Sequence, residues 1–322
     1  MNIIVFDLEW NQMEKRFLKE DSPTLFEIIE IGAIKLNKDW AIESRFSSLI
    51  KPQIYPRLNR ITENLIHIHM KELKNQLPFP SVYKSFSNFC GEDFLFATWG
   101  SLDLLELQRN MAYYHLPPLG TGPIPFLDVQ KLYSIAKSDG KSRITLEHAV
   151  EELELEKDIP FHRAFSDAYY TAKVLQAIQS EELLKMVSYD TFHLPHTKKE
   201  EIKVRFPGYE KYITREFAEK TDIMHDREVA STRCYICHKN IKKKLRFECF
   251  NGKHYTSIAY CPEHGYFRYK VRLKKTEKGT YYGVKTAKQI PFEDYLKYKE
   301  EREKLRALRK QKKKVYKSNS SK

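Results

Sequence analysis

The chain has 322 residues, a net charge of +13, 41% hydrophobic residues and 31% charged residues. At about 100–200 residues per domain, this length allows two compact domains, and the composition fits a soluble globular protein. No run of about 18 apolar residues occurs, and the chain does not open with a basic and apolar leader. We therefore expect a cytoplasmic protein rather than a membrane-spanning or secreted one.

The positive charge is concentrated near the C-terminus. Residues 231–322 contain 27 Lys and Arg against 8 Asp and Glu, whereas residues 1–230 contain 29 against 35. A mildly acidic part is thus joined to a part that attracts polyanions. A basic segment can also serve solubility alone, but we interpret this one as a nucleic-acid-binding region.

The first 187 residues show the pattern of an α/β domain. Three strand-like segments come first, and helical patterns with one further strand follow them. Strands are predicted at 3–8, 28–36, 43–50 and 94–98, and helices at 79–90, 101–114, 145–154 and 163–185. This order predicts a mixed sheet flanked by helices.

The remaining residues divide into three predicted segments. Residues 188–230 are polar and irregular, which indicates a connector in which short helices can form. Residues 231–290 are rich in Lys, Arg and Tyr with strand-like alternation, which predicts a small β-rich domain. Residues 291–322 predict a basic, solvated helix that becomes disordered at its end.

Three acids of the α/β domain occupy positions where carboxylates can meet a metal. Asp7 and Glu9 are two residues apart on the first strand, so both point to one face of the sheet. Burying such acids is costly unless a divalent cation neutralises them, although Asp-x-Glu taken alone is better explained by a solvated strand end. Asp103 follows the fourth strand in the first turn of a helix, where the helix dipole alone favours an acid.

A histidine and a fourth acid lie at the start of the last helix. Pro160 places His162 in a loop, and Asp167 follows in the first part of the helix. Five residues correspond to about 140° on a helix, so the two side chains cannot share one helical face. An Asp on a rigid helix and a His on a loop suit a metal ligand and a general base, although His162 alone reads as an ordinary surface histidine.

In this order and spacing, the motifs resemble those of the DEDDh exonucleases, a family that includes ribonuclease T and the proofreading subunit of bacterial replicative DNA polymerase. The resemblance covers residues 1–187. It implies a ribonuclease-H-like fold and a 3′→5′ exonuclease that releases nucleoside 5′-monophosphates from single-stranded RNA or DNA with a free 3′ end. Asp7, Glu9, Asp103 and Asp167 would hold two Mg²⁺ or Mn²⁺ ions, and His162 would be the general base.

Two further features bear on the substrate. Gly100-x-x-Asp103 is similar to the branch of the family that trims structured RNA 3′ ends, which favours RNA modestly. Trp10 departs from the small residue that many relatives carry after the first Glu. The resemblance implies that its ring would lie where the terminal nucleotide is held, so that a base could stack on it. A DNA exonuclease of repair or proofreading remains an alternative, as does a non-catalytic nucleic-acid-binding or ribosome-binding protein on a nuclease fold.

Four of the five cysteines lie in the basic C-terminal region, whereas Cys90 stands alone. Cys234-x2-Cys237 and Cys261-x2-His264 are separated by 23 residues, a spacing typical of zinc ribbons. This pattern predicts one structural Zn²⁺ held by these four side chains. The alternatives that remain open for a ligand are Cys249, His238 and His254.

Aromatic and basic residues alternate around this cluster, as in Tyr266–Arg272. A surface that binds single-stranded nucleic acid needs aromatic rings beside cations, because the bases stack on the rings and the phosphates contact the cations. The same rings could equally form the core of the small domain, and both uses are compatible with the sequence.

Overall fold

The computed structural model describes residues 1–13, 26–138, 140, 142–249 and 254–319. The last three residues of the predicted tail, 320–322, lie outside the described residues. Two compact units divide the chain, Met1–His193 and Leu194–Lys322. Each unit has its own six-stranded sheet among the described residues.

The sheet of the first unit is mixed, as the sequence predicts. Its strand order is β3-β2-β1-β4-β5-β6, with β1, β4 and β5 parallel and the other neighbours antiparallel. The strands are β1 Asn2–Asn11, β2 Glu27–Leu36, β3 Ile42–Leu49, β4 Phe94–Thr98, β5 Pro125–Asp128 and β6 Ser188–Tyr189.

Helices cover both faces of this sheet. Alternate residues of β1 point to opposite sides, so Ile3 and Val5 join one core while Ile4 and Phe6 join the other. The helices are α1 Arg60–Ile66, α2 Met70–Leu73, α3 Phe79–Cys90, α4 Leu102–Tyr113, α5 Val129–Lys137, α6 Leu146–Glu152, α7 Ala164–Ile178 and α8 Glu181–Leu184. Helices α3 and α4 pack on the Phe6 side, and α5, α6 and α7 pack on the Val5 side.

The helix predicted at 163–185 is two helices in the structure. Helix α7 ends at Ile178 because Gln179 is extended, with ψ of 135°. Ser180 then caps α8, since its hydroxyl accepts a hydrogen bond of 3.2 Å from the N–H of Leu183. The predicted apolar stripe is confirmed, with Ala164, Ala168, Ala172 and Leu175 buried.

The second unit is β-rich, as predicted, and its sheet is antiparallel throughout. The strand order is β7-β8-β12-β11-β10-β9. The strands are β7 Ile202–Phe206, β8 Tyr209–Ile213, β9 Lys242–Cys249, β10 His254–Cys261, β11 Gly265–Lys275 and β12 Tyr281–Ile290. The helices are α9 Lys220–His225, α10 Arg227–Ala230 and α11 Phe292–Asn319, with a 3₁₀ turn at Lys198–Glu200.

Part of the segment interpreted as a connector belongs to this sheet. Strands β7 and β8 lie within residues 188–230, and β8 pairs with β12 along Tyr209–Ile213. Phe206, Tyr212 and Ile213 are buried, so these strands contribute to the core of the second unit. In neither unit does the described chain contain a helix that is long and apolar enough to cross a membrane.

Candidate active site and metal centres

The first two acids are displayed by β1 at the point where its pairing with β2 changes. Asp7 lies opposite Gly32 and Glu9 lies opposite Glu30, and the register shifts between Glu9 and Trp10. Asp7 and Glu9 share one face of the strand because side chains alternate along it. That face is the one on which α7 packs, since Ile3 and Val5 on it contact the α7 core.

A glycine on β2 lets the start of α7 come close to these acids. A Cβ atom at Gly32 would lie 2.1 Å from the backbone nitrogen of Phe165 and 2.2 Å from the carbonyl carbon of Ala164. Only a residue without a side chain allows this approach. The first turn of α7, which carries Asp167, therefore lies directly against β2 beside the two acids of β1.

Three carboxylates meet as a result. Ligand oxygens of Asp7, Glu9 and Asp167 lie within 4.8 Å of one another. Asp103, in the first turn of α4, is outside this group of three but is 6% exposed, and its Oδ1 accepts a hydrogen bond of 3.3 Å from the N–H of Leu8. Leu8 lies between Asp7 and Glu9 on β1, so this hydrogen bond holds Asp103 next to the strand that carries two acids of the cluster.

Burial, aided by the charges of nearby acids, raises the pKa of every acid in this cluster. Burial, followed by the charges of its neighbours, raises the pKa of Glu9 to about 8 and that of Asp7 well above its usual range. Burial also raises the pKa of Asp103 to about 7 and that of Asp167 to about 6, although backbone hydrogen bonds to both oppose the shift. Four acids with this behaviour form a site that favours positive charge.

His162 lies at the rim of the cluster, in the loop before α7. Its φ of 65° is in the left-handed region, and its backbone N–H donates a hydrogen bond of 3.3 Å to Oδ1 of Asp167. The imidazole is about half exposed, with Nε2 3.7 Å from Oε1 of Glu147. The loop is thus tied to Asp167 through its backbone, while the ring reaches solvent.

The structure adds an ion pair that the sequence does not reveal. Glu30, opposite Glu9, is 1% exposed and accepts two hydrogen bonds from Arg163, 3.0 Å from Nε and 2.8 Å from Nη2. Arg163 is the N-cap residue of α7, between His162 and the helix. This bidentate pair anchors the start of α7 to β2. Because 133 residues separate the partners, sequence spacing carries no signal of it.

Trp10, which departs from the family pattern, is half-buried and packs on Phe26, with ring centroids 5.7 Å apart. It follows the register shift after Glu9 and contacts the core on the other side of the sheet. The ring is therefore partly used in packing.

In the second unit, the structure brings together the four residues of the predicted zinc site. Cys234 Sγ lies 3.7 Å from His264 Nδ1, Cys237 Sγ lies 3.8 Å from Cys261 Sγ, and Cys261 Sγ lies 3.6 Å from His264 Nδ1. Tetrahedral ligands about 2.3 Å from a zinc ion would be about 3.8 Å apart, so the separations fit such an ion.

The three alternative zinc ligands are not part of this group of four. Cys249 lies at the end of β9, opposite Tyr255, and His254 begins β10 opposite Arg272. His238 has a φ of 59°, and its N–H donates to the carbonyl of Cys234, so it closes the turn of the first knuckle.

The first unit matches known exonucleases. The family RNase_T, described as Exonuclease, matches residues 4–175. A Bacillus subtilis (strain 168) protein named "Probable 3'-5' exonuclease KapD" is 24% identical over 187 residues, which are 56% of this chain and 86% of that protein.

Two solved structures are also similar to the chain. The nuclease domain of 3′hExo, described as a DEDDh family member bound to rAMP, is 22% identical, with 54% of this chain and 88% of that chain covered and a TM-score of 0.45. Exonuclease X in complex with 5′ overhanging duplex DNA is 17% identical, with 55% and 89% covered and a TM-score of 0.38. With a family match over more than half of its length, the chain belongs to the RNase_T exonuclease family, and the predicted enzyme class, a 3′→5′ exonuclease, is confirmed.

Proposed function

We propose that this chain is a metal-dependent exonuclease that removes nucleotides one at a time from free 3′ ends of single-stranded nucleic acid, with RNA preferred. The observation that carries the proposal is the meeting of Asp7, Glu9 and Asp167 within 4.8 Å, with Asp103 bound to the same strand. The name of the bacterial relative supports the 3′→5′ direction.

The donor set fits two divalent cations such as Mg²⁺ or Mn²⁺. Four acids with raised pKa values form a site of hard oxygen ligands, in which ionisation is costly unless positive charge is present. Asp7, Glu9, Asp103 and Asp167 would hold the ions. When bound, the ions offset the charge of the carboxylates and the scissile phosphate and lower the pKa of the attacking water.

The protein residues supply proton transfer and position. His162 accepts the proton of the attacking water at a ring nitrogen, and Glu147, 3.7 Å from Nε2, stabilises the resulting imidazolium. Water adds to phosphorus, the 3′ oxygen of the penultimate nucleotide leaves, and the product is a nucleoside 5′-monophosphate. The Glu30 and Arg163 pair keeps Asp167 and the His162 loop at fixed distances from β1.

The RNA preference rests on the Gly100-x-x-Asp103 context, since carboxylates alone do not discriminate between sugars. It is tested by digesting 5′-labelled single-stranded RNA and DNA of one sequence with Mn²⁺, using Asp167→Asn as control. We expect a ladder of shortened RNA, a lower kcat/KM on DNA, and no ladder with the variant. Equal or faster cleavage of DNA would overturn the RNA preference in favour of the repair or proofreading alternative.

We also propose that Cys234, Cys237, Cys261 and His264 hold one structural Zn²⁺. The four ligand atoms lie within 4.8 Å of one another, and three of their separations, 3.6–3.8 Å, match those of a tetrahedral zinc site. Zinc would supply the small unit with a crosslink between the β9 side and the β10–β11 turn. Metal analysis of the purified protein tests this directly. Cys237→Ser is expected to lose the zinc and lower the Tm, whereas the matched variant Cys249→Ser keeps it. Zinc loss from the Cys249 variant, or retention by the Cys237 variant, would contradict this ligand set.

A further inference from the structure

The central strand of the second unit has two chemically different faces. Along β11, Phe267, Tyr269 and Val271 are buried in the core, whereas the alternate residues Lys270 and Arg272 point to the opposite face. The interleaving of rings and cations in the sequence therefore reflects the pleat of the strand, with rings packed inside and cations outside. Base stacking on β11 is consequently excluded at Phe267 and Tyr269.

Neighbouring strands extend the row of cations. Lys274 continues it along β11, and across the sheet Lys288 of β12 lies opposite Arg268, while Lys211 of β8 lies opposite Thr286, the partner of Lys270. Residues opposite each other in antiparallel strands share a face. Lys211 and Lys288 thus lie on the same side of the sheet as the row on β11. We call the row itself, Lys270, Arg272 and Lys274, the cationic face.

Helix α11 begins over one end of this row and then passes over β9 and β10, where Arg302 donates to the carbonyls of Arg246 and Thr256. Arg268 donates a hydrogen bond to the hydroxyl of Tyr298, and Tyr266 stacks on Tyr295 with ring centroids 4.6 Å apart. The rings at this end are therefore used to hold α11. The cationic face continues along β11 beyond Arg268.

Among the described strands of this sheet, Glu248 of β9 is the acid on the same side as Lys270, Arg272 and Lys274, through the pairing of Lys270 with Thr256 and of Thr256 with Glu248. Strands β11 and β12 contain no Asp or Glu, and Glu210 of β8 alternates with Lys211 and so points to the other face. Glu248 of β9 pairs with Arg302 at 3.4 Å and with Arg306 at 2.8 Å, both on α11. The charge of Glu248 is thus compensated by the helix.

Grouping like charges on a sheet costs stability, so the fold itself does not call for this arrangement. Burial, together with the nearby charges of Arg272 and Arg268, lowers the pKa of Lys270. From Lys270 to Lys274 the row spans about 14 Å, at about 3.4 Å per strand residue. A polyanion with closely spaced charges relieves this repulsion along the whole row.

We propose that the cationic face binds the phosphate backbone of a single nucleic-acid strand, without regard to sequence. Phosphate contacts of this kind release counterions, so affinity falls with salt by about 0.7 logarithmic units per phosphate and per decade of salt. Binding by this face is separable from cleavage, and an Asp7→Asn background that cannot cleave keeps the two apart.

The test measures binding of a fluorescent single-stranded oligouridine to the full-length Asp7→Asn protein at several salt concentrations. Adding Lys270→Gln and Arg272→Gln is expected to weaken binding at low salt and to reduce the salt slope by about 1.4. Between about 50 and 200 mM salt, the parent would then lose about sevenfold more affinity than the variant. The Tm of the variant should not fall, because the removed side chains repel one another.

The matched control removes the same charge from exposed positions elsewhere in this unit, Lys199→Gln and Lys304→Gln on the 3₁₀ turn and α11. It should leave the slope within a few tenths of the parent value. An unchanged slope in the Lys270 and Arg272 variant, or an equal change in the control, would overturn the proposal. A Lys270 and Arg272 variant that lost binding to phosphatidylserine vesicles but kept the oligouridine affinity of the parent would also overturn the proposal. The cationic face would then bind a membrane surface rather than nucleic acid.

Discussion

Replacing Glu9 by Gln should stabilise the protein while abolishing its activity. Glu9 is the acid at which burial, then the charges of Asp167, Glu30 and Asp103, raise the pKa from 4.5 to about 8. The folded protein therefore holds this proton more tightly than the unfolded chain does. Stability is lost as the pH rises from about 4.5 to about 8 when no metal is bound, because the folded state then carries the excess protons.

The magnitude follows from the width of this window. The unfolded chain loses the Glu9 proton near pH 4.5, and pH 7 lies about 2.5 units above that value. At about 1.4 kcal/mol per unit, the buried acid lowers the free energy of unfolding at pH 7 by about 3 kcal/mol. Glutamine has the same shape but no charge to bury, so Glu9→Gln should raise stability at pH 7 by about this amount. For a unit of about 190 residues this corresponds to a Tm increase of about 6–12 °C.

The assay is thermal unfolding of wild type and variant at pH 5 and pH 7, without and then with Mn²⁺. We expect a large Tm difference at pH 7 and a small one at pH 5. Mn²⁺ should raise the Tm of the wild type more than that of the variant. Glu92→Gln, at an exposed position outside the cluster, should match the wild type throughout. A Glu9→Gln protein that unfolds at a lower Tm at pH 7 would refute the electrostatic reasoning.

Two further variants test how α7 is positioned. Gly32→Ala should lower stability by about 3 kcal/mol or more, because its Cβ would meet the backbone of Phe165 at 2.1 Å; wild-type thermal unfolding would contradict this contact. Arg163→Lys, which cannot form the fork to Glu30, should reduce kcat by roughly ten- to a hundredfold with little change in KM. In Arg163→Met the buried Glu30 is unpaired, and adding Glu30→Gln should recover much of the lost Tm; no recovery would count against the pair.

The sequence predicts the first unit well where the local pattern is strong. Strand β1 opens with an apolar run that leads into Asp7 and Glu9, and Pro160 and the alanine stripe indicate the start and inner face of α7. Strand β1 and α7 carry Asp7, Glu9 and Asp167, and the loop before α7 carries His162. The order and spacing of these residues, with the family resemblance they support, therefore predicted the candidate site. Strand β5 and helix α5 were not predicted, because a strand of four residues leaves little periodicity.

The remaining features depend on contacts between distant residues. The Glu30 and Arg163 pair and the approach of Gly32 to α7 arise only when β2 and α7 pack. Similarly, residues 202–213 are polar enough to read as a connector, and they become strands because β12 offers an edge to pair with. Local patterns predict the elements, and packing determines which polar residues meet.

The measurement that tests the account most directly is the identity of the first product released from single-stranded RNA labelled at its 3′ end, with Mn²⁺ present. We predict that a labelled nucleoside 5′-monophosphate appears before any shorter labelled oligonucleotide, that the same RNA labelled at its 5′ end yields a ladder, and that Asp167→Asn releases neither. A first product that carries the label in an oligonucleotide, or equal release by the variant, would contradict stepwise cleavage from the 3′ end by the carboxylate cluster.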